Sequence, residues 1–400
     1  MCVEKIGVGL RIVCAMLVAG VIAGCAGGAS QLRGTGDLGL VVERATGSIR
    51  LIETSGQSEI GRIDGLGDLS HAAAVYSRDG RHAYVFGRDG GLTQVDMLRA
   101  RIERRIIQGG NSIGGAISQD GKVIAVANYE PGGVRLFDAA TLQPLAEIPS
   151  TYGDGTRRAK VIGIADAPGH RFVFSLFEAG EIWIVDATNP RSPQVQRIRN
   201  IGKQPYDGFV TPDGRYYIAG LYGEDGLSLV DLWNPEAGAR RVLDGYGRGQ
   251  DPMPVYKMPH LRGWAMAGRY AFLPAIGRQE VLVLDTVTWT EAARVPVHGQ
   301  PVFAVAQPGG RRVWVNFAFP LNDVVQVIDV PQMKVVKQLA PGRAVLHLEF
   351  TPRGEQVWIS SRDDNRVTVY DTGTFQQTKA LPAESPSGIF MTSRAHLTGF

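Results

Sequence analysis

The stretch LSHAAAVYSRDGRHAYVFGRDGGLTQVDM, Leu69 to Met97, decides the fold. Apolar residues alternate through Ala72 to Tyr76 and again through Ala83 to Phe86, and Asp79-Gly80 between them supplies tight-turn chemistry. A glycine-rich loop, GRDGG, then leads into a third strand ending at Asp96. Alone, the stretch is a hairpin plus one strand, with His71 standing just ahead of the first.

The pattern returns. Further copies are IGGAISQDGKVIAVANYEPGGVRLFDAAT, VIGIADAPGHRFVFSLFEAGEIWIVDAT, DGFVTPDGRYYIAGLYGEDGLSLVDLW, LRGWAMAGRYAFLPAIGRQEVLVLDTVT, FAVAQPGGRRVWVNFAFPLNDVVQVIDV and LHLEFTPRGEQVWISSRDDNRVTVYDTGT. Their third strands close on Asp138, Asp186, Asp231, Asp285, Asp329 and Asp371, at successive intervals from Asp96 of 42, 48, 45, 54, 44 and 42 residues. Each interval has room for a fourth strand, such as RIERRII or KVVKQLA, and four strands at that period make a β-propeller blade.

Two remainders flank the seven copies. LGLVVERATGSIRLIETSGQSEIGRID supplies three strands and lacks a first, while PSGIFMTSRAHLTGF aligns with first strands. Joined, they make one more blade, so the chain reads as an all-β, eight-bladed β-propeller closed by the C-terminal strand joining the N-terminal blade. That closure removes an unpaired sheet edge. A doubly wound α/β fold is excluded, because no segment between the strands sustains a 3.6-residue apolar period.

The N-terminus carries Lys5 and Arg11, then the apolar run Ile12 to Gly24, short for a membrane span and suited to the core of an export signal. It ends in IAGC, which resembles the lipobox of bacterial lipoproteins, cut before the cysteine that then carries lipid. The expected organisation is a lipoprotein signal over 1–24, a flexible tether over 25–37 from lipidated Cys25, and a single propeller over 38–400. Cys2 and Cys14 fall in the signal, which leaves the mature chain Cys25 alone and excludes disulfides and Cys-based metal sites. The expected location is the periplasm, with membrane attachment through the lipid anchor only.

Lys and Arg number 42 against 39 Asp and Glu, a net charge of +3 that is too balanced for a nucleic-acid footprint. Function therefore has to come from a local site. First strands of a propeller line the central channel, and the loops leading into them share a face with the loops between second and third strands. Aligned on the DG turn, His71 stands at the entrance of its first strand, opposite Pro205-Tyr206-Asp207, Pro259-His260 and Val345-Leu346-His347 of other copies. The same face collects Arg88, Tyr129, Glu130, Glu178, Tyr222, Glu224, Asp225, Arg278 and Arg362, with Arg157 and Arg158 in a long lead-in loop. Guanidinium forks take carboxylates bidentately and imidazole ligates iron, so this mouth suits a flat, anionic ligand. The plainer alternative is that His71 caps a strand and the Arg157-Arg158 pair keeps a loop in water. HExxH, CxxC, Walker A and GxSxG motifs are absent.

Several of these blocks, among them GDLGLVVERATGSI, LSHAAAVYSRDGRHAYVFGRDGGL, QPYDGFVTPDGRYYIAGLYGEDG, VYKMPHLRGWAMAG and VLHLEFTPRG, resemble the NirF family of exported heme d1 biogenesis proteins. The likeness extends over essentially the whole chain after the signal. It implies a propeller related to the d1-heme domain of cytochrome cd1 nitrite reductase, a homodimer, and partners among heme d1 pathway proteins and nitrite reductase. Relatives of the family carry a CxxCH attachment site that this sequence lacks, so no covalent heme c is expected. The ligand implied is heme d1 or dihydro-heme d1, bound as substrate.

The histidine of LSHA matches the family's candidate functional histidine, which makes His71 a candidate acid, base or axial iron ligand, assisted by Glu130 and Tyr206. Arg88, Arg157, Arg158, Arg278 and Arg362, with Tyr206, His260 and His347, are the expected cofactor-binding set. Three functional classes follow: an enzyme of a late biosynthetic step, a carrier that protects and delivers the tetrapyrrole, and a structural lipoprotein that binds only proteins.

Overall fold

The computed structural model describes residues 34–245, 263–275 and 277–399. Eight four-stranded antiparallel sheets follow one another as the blades of a β-propeller. Blade 1 is built from Leu38–Glu43, Ser48–Glu53 and Ser58–Ile63 with Pro386–Met391 as its innermost strand. Blades 2 to 8 occupy residues 73–107, 111–148, 161–198, 205–242, 265–296, 301–339 and 345–382. Closure of the ring is direct: Gly39, Leu40 and Val41 pair with Met391, Phe390 and Ile389.

The sequence period follows from how blades pack. Middle strands such as Val123–Glu130 and Arg171–Leu176 are buried along nearly their whole length, because neighbouring blades cover both faces, and they therefore read as unbroken apolar runs. Outer strands such as Arg101–Ile107 and Gln377–Pro382 are exposed or half-buried and mix charged and polar residues with apolar ones. Trp183, Trp314 and Trp358 fill the space between sheets and are fully buried.

The aspartate ending each third strand has a local task. Its Oδ1 accepts a backbone N–H of the turn that follows: Leu98 and Arg99 for Asp96, Thr141 for Asp138, Thr188 for Asp186, Trp233 for Asp231, Val287 for Asp285, Gln332 for Asp329 and Thr374 for Asp371. An Asx side chain that mimics a backbone turn is the physical source of the repeat.

At blade 1 the seam is ionic as well as hydrogen-bonded. The fully buried Glu43 carboxylate accepts from Arg50 Nε at 2.6 Å, Arg62 Nε at 2.7 Å, Ser48 Oγ at 2.8 Å and the backbone N–H of Glu384 at 2.7 Å. Past the last strand, Thr392–His396 and the residues after it cross the end of the channel away from the lead-in loops. There Arg394 makes a bidentate pair with Glu349 at 2.7 and 2.6 Å, Arg78 donates to the Ala395 carbonyl, and the N–H of Gly399 reaches Asp166 Oδ1 at 2.9 Å.

Candidate functional site

Inner strands are not regular ladders. In blades 1, 3, 4, 5, 7 and 8 the pairing of first and second strands shifts register near the lead-in loop. A bulge turns extra residues out of the ladder, and bulges gather at barrel rims for that reason. In blade 5 the shift lies between Pro205 and Gly208, which frees Tyr206 and Asp207. Gly208 permits this: a Cβ there would lie 1.9 Å from the Tyr217 hydroxyl. That hydroxyl donates to the Gly163 carbonyl at 2.9 Å and so ties blade 4 to blade 5.

Tyr206 meets an aromatic wall. Its ring lies 6.2 Å from Phe177, edge-on, and 6.4 Å from Tyr222, while the Tyr129 hydroxyl donates to its oxygen at 3.5 Å. Lys160 covers Phe177 at 5.5 Å and pairs with Glu178 at 2.7 Å. Burial makes both Tyr129 and Tyr206 harder to ionise than an ordinary phenol, and Asp207 adds to this while Arg88 opposes it, so both keep their protons at neutral pH.

Next along the ring comes an arc of guanidinium groups. Arg362, Arg44 and Arg88 occupy the same turn, between second and third strands, in blades 8, 1 and 2. Burial, and then the neighbouring Arg362 and Arg88, hold the Arg44 guanidinium below its ordinary value, with Asp68 opposing, so the three share one field. Arg44 Nη2 donates to the Ser70 carbonyl at 2.7 Å. The Arg88 backbone is held by its N–H to the Asp68 carbonyl at 2.8 Å and by the Ser112 N–H at 3.2 Å. Its exposed guanidinium has no carboxylate at ion-pair distance among the described residues. His71 is exposed beside this arc, two residues ahead of its strand.

Deeper in the channel, His347 lies between Phe303, at 6.2 Å, and Phe390, at 5.7 Å. Its Nδ1 accepts the Ile389 N–H at 3.2 Å, which leaves the proton of the neutral ring on Nε2. Burial pulls its ionisation down to about 4, against the opposing pull of Glu349. A neutral ring with Nδ1 engaged and Nε2 protonated is a hydrogen-bond donor and a poor iron ligand. Two buried polar atoms at the lead-in end, Asn111 Oδ1 and Ser361 Oγ, have no partner among the described residues. Unfilled polar atoms, an Arg88 guanidinium with no carboxylate at ion-pair distance among the described residues, and a cluster of edge-on and tilted aromatic rings fit a flat ligand with several carboxylates.

The other expected site residues are placed as follows. Arg158 belongs to the hairpin Thr151–Tyr152 with Arg157–Arg158, ahead of blade 4, and pairs at 3.1 Å with Glu147 of an outer strand. Arg157 stacks on Tyr152 of the same hairpin, 4.7 Å from its ring. Arg278 is exposed at the blade 6 turn, 3.6 Å from Glu280, and Arg362 bonds the adjacent Asp363 at 2.7 Å. Glu130 is exposed beside Tyr129. His260 and Cys25 lie outside the described residues. Arg44 escaped the sequence reading, although VERATG aligns with FGRDGG and SSRDDN.

A second group, His82, Asp96 and Glu103 of blade 2, brings ligand-type atoms within 4.8 Å of one another. Asp96 is already occupied by two backbone N–H groups, by Arg81 at 3.3 Å and by Arg99 at 3.1 Å, and two guanidinium groups repel a cation.

Comparison with known proteins accords with this geometry. The Cytochrome D1 heme domain family matches residues 33–395. Protein NirF of Stutzerimonas stutzeri is 59% identical over 381 residues, 95% of this chain and 97% of the relative. Protein NirF of Pseudomonas aeruginosa is 55% identical over 386 residues, covering 96% and 98%. A solved structure of dihydro-heme d1 dehydrogenase NirN in complex with DHE superposes with a TM-score of 0.78 at 25% identity, over 92% of this chain and 78% of that one. With a family match spanning the whole propeller and relatives alike from end to end, the chain belongs to the Cytochrome D1 heme domain family and, within it, to the NirF proteins.

Proposed function

We propose that this protein binds a d1-type tetrapyrrole, dihydro-heme d1 or a precursor, at the channel mouth and carries out a late step in making heme d1 for nitrite reductase. The observation that carries the reading is the arc Arg362, Arg44 and Arg88 beside His71 in a propeller of the d1-heme family. Guanidinium groups hold the ring carboxylates, and Phe177, Tyr206 and Tyr222 offer apolar faces to the macrocycle. The bound ring would supply an iron centre. His71 would ligate that iron or move a proton to or from the ring, with Tyr206 and Glu130 as further acid-base groups.

The protein is exported, anchored by lipid at Cys25 and active in the periplasm; the IAGC ending of the signal supports this. It acts as a homodimer and passes its product to partner proteins of the pathway, as the family likeness suggests. A non-catalytic carrier is the second reading, favoured by the exposure of Arg88 and Glu130, which leaves these groups in water. Incubating the pure protein with dihydro-heme d1 separates the readings. A shifted absorption spectrum with a changed ligand mass marks an enzyme, a shifted spectrum with unchanged mass marks a carrier, and no spectral change refutes both.

A further inference from the structure

Tyr129 and Tyr206 come from blades 3 and 5 and meet hydroxyl to hydroxyl at 3.5 Å. This is the long limit of a hydrogen bond, as acid-base contacts often are before a ligand closes the site. Its direction matters. Tyr129 donates and the Tyr206 oxygen accepts, so the O–H of Tyr206 is left to donate elsewhere.

Each element fixes the Tyr206 ring. The bulge between Pro205 and Gly208 takes the residue out of the ladder, Phe177 stands edge-on to it at 82°, and Tyr222 closes the other side at 48°. Phe177 and Tyr222 are themselves in contact at 6.3 Å. The ring is therefore boxed in while its hydroxyl stays at the mouth.

We propose that Tyr206 is a proton donor to the ligand of the mouth and that Tyr129 is its positioning residue. Tyr129 orients the Tyr206 oxygen and stabilises the negative charge left on it. In the step, the O–H bond of Tyr206 breaks, its electron pair stays on the phenol oxygen, and the proton passes to a basic atom of the bound tetrapyrrole. Solvent then returns a proton to the phenolate; no oxidant or reductant takes part. The identity of the acceptor rests on the function proposed above, whereas the pairing of the two phenols does not.

Alkaline ultraviolet difference titration of the ligand-free protein tests the pairing. Asp207, Arg88 and Tyr222 also face Tyr206 and stay unchanged in each variant. Subtracting the Tyr206→Phe curve from wild type isolates Tyr206, and subtracting the double variant from Tyr129→Phe isolates it without its partner. Loss of a hydrogen bond to the charged form should raise the Tyr206 midpoint by about one pH unit. A midpoint that stays put or falls overturns the pairing. The donor role is judged separately: Tyr206→Phe should keep the spectrum of bound dihydro-heme d1 but lose heme d1 formation in a strain lacking the wild-type protein. Full heme d1 formation by Tyr206→Phe overturns it. Failure of the wild type to bind any d1-type tetrapyrrole would remove the proposed function, and the ligand-free titration still decides the pairing.

Discussion

The Arg44 guanidinium donates to the Ser70 carbonyl at 2.7 Å, so a turn of blade 1 holds the lead-in to blade 2 one peptide before His71. Arginine here serves as a clamp on the histidine loop and as the centre of the arc with Arg362 and Arg88. Arg44→Ala should weaken tetrapyrrole binding about tenfold, equivalent to roughly 1.4 kcal/mol. Arg44→Lys keeps the charge without the planar fork and should recover only part of the loss. Absorption titrations of both variants measure this, and equal affinity of Arg44→Ala and wild type would exclude Arg44 from the site.

Acid should open the ring at the Glu43 seam. Burial by itself raises this carboxyl, but Arg50, the Glu384 N–H, Arg62 and Ser48 together outweigh it and bring it from 4.5 down to about 2. The folded state thus holds the proton less tightly than the unfolded chain, so the stabilisation is complete above about 4.5 and is lost as pH falls toward 2. Its size is roughly 3 kcal/mol at neutral pH. Glu43→Gln should lower stability by about that order at pH 7, with the gap to wild type narrowing below 4.5. Denaturant unfolding at several pH values gives both quantities, and a gap independent of pH would contradict the ionic seam.

His347 titrates in a different window. Its folded value of about 4 lies below the ordinary 6.5, so the unfolded chain binds the proton first and stability falls as pH drops through that interval. His347→Gln keeps a hydrogen-bonding side chain and cannot ionise. The variant should lose the acid sensitivity between 6.5 and 4 while that of Glu43, at lower pH, remains. Thermal melts across this range decide it.

What could be read from the sequence, and what could not, has a physical pattern. The blades were legible because Asp96, Asp138 and their counterparts perform one local task at fixed spacing, and the missing first strand of blade 1 pointed to Pro386–Met391. Arg44 was hidden by that same gap, since ERATGS lies in a remainder with no first strand to align. Tyr206 was placed at the mouth, but its freedom from the ladder depends on a register shift that no residue type announces. Arg158 was placed on the face of the lead-in loops, but its pairing with Glu147 depends on a hairpin, Thr151–Tyr152 against Arg157–Arg158, that the repeat does not show.

The C-terminal segment offers a test of closure. Removing residues 386–400 deletes the inner strand of blade 1, the Arg394–Glu349 pair and the Gly399 contact to Asp166. The exposed edge of Leu38–Glu43 should aggregate, with a sharply lower melting temperature. Arg394→Met is the milder probe: it leaves the buried Glu349 carboxylate without its partner and should cost about 3 kcal/mol or more. A melt unchanged by the truncation would contradict ring closure.

His71 remains the residue on which enzyme and carrier part. It is exposed at a rim and lies outside the buried core, so His71→Ala should leave the melt within about 0.5 kcal/mol of wild type. Affinity should also largely survive, because guanidinium pairs and aromatic contacts supply most of the binding free energy. An enzyme that loses its proton carrier or iron ligand keeps such a complex yet fails in the chemical step. His71→Ala is therefore expected to bind dihydro-heme d1 with an altered spectrum and to leave a deletion strain without nitrite reduction. Wild-type complementation by this variant would return His71 to the role of a strand cap and favour the carrier.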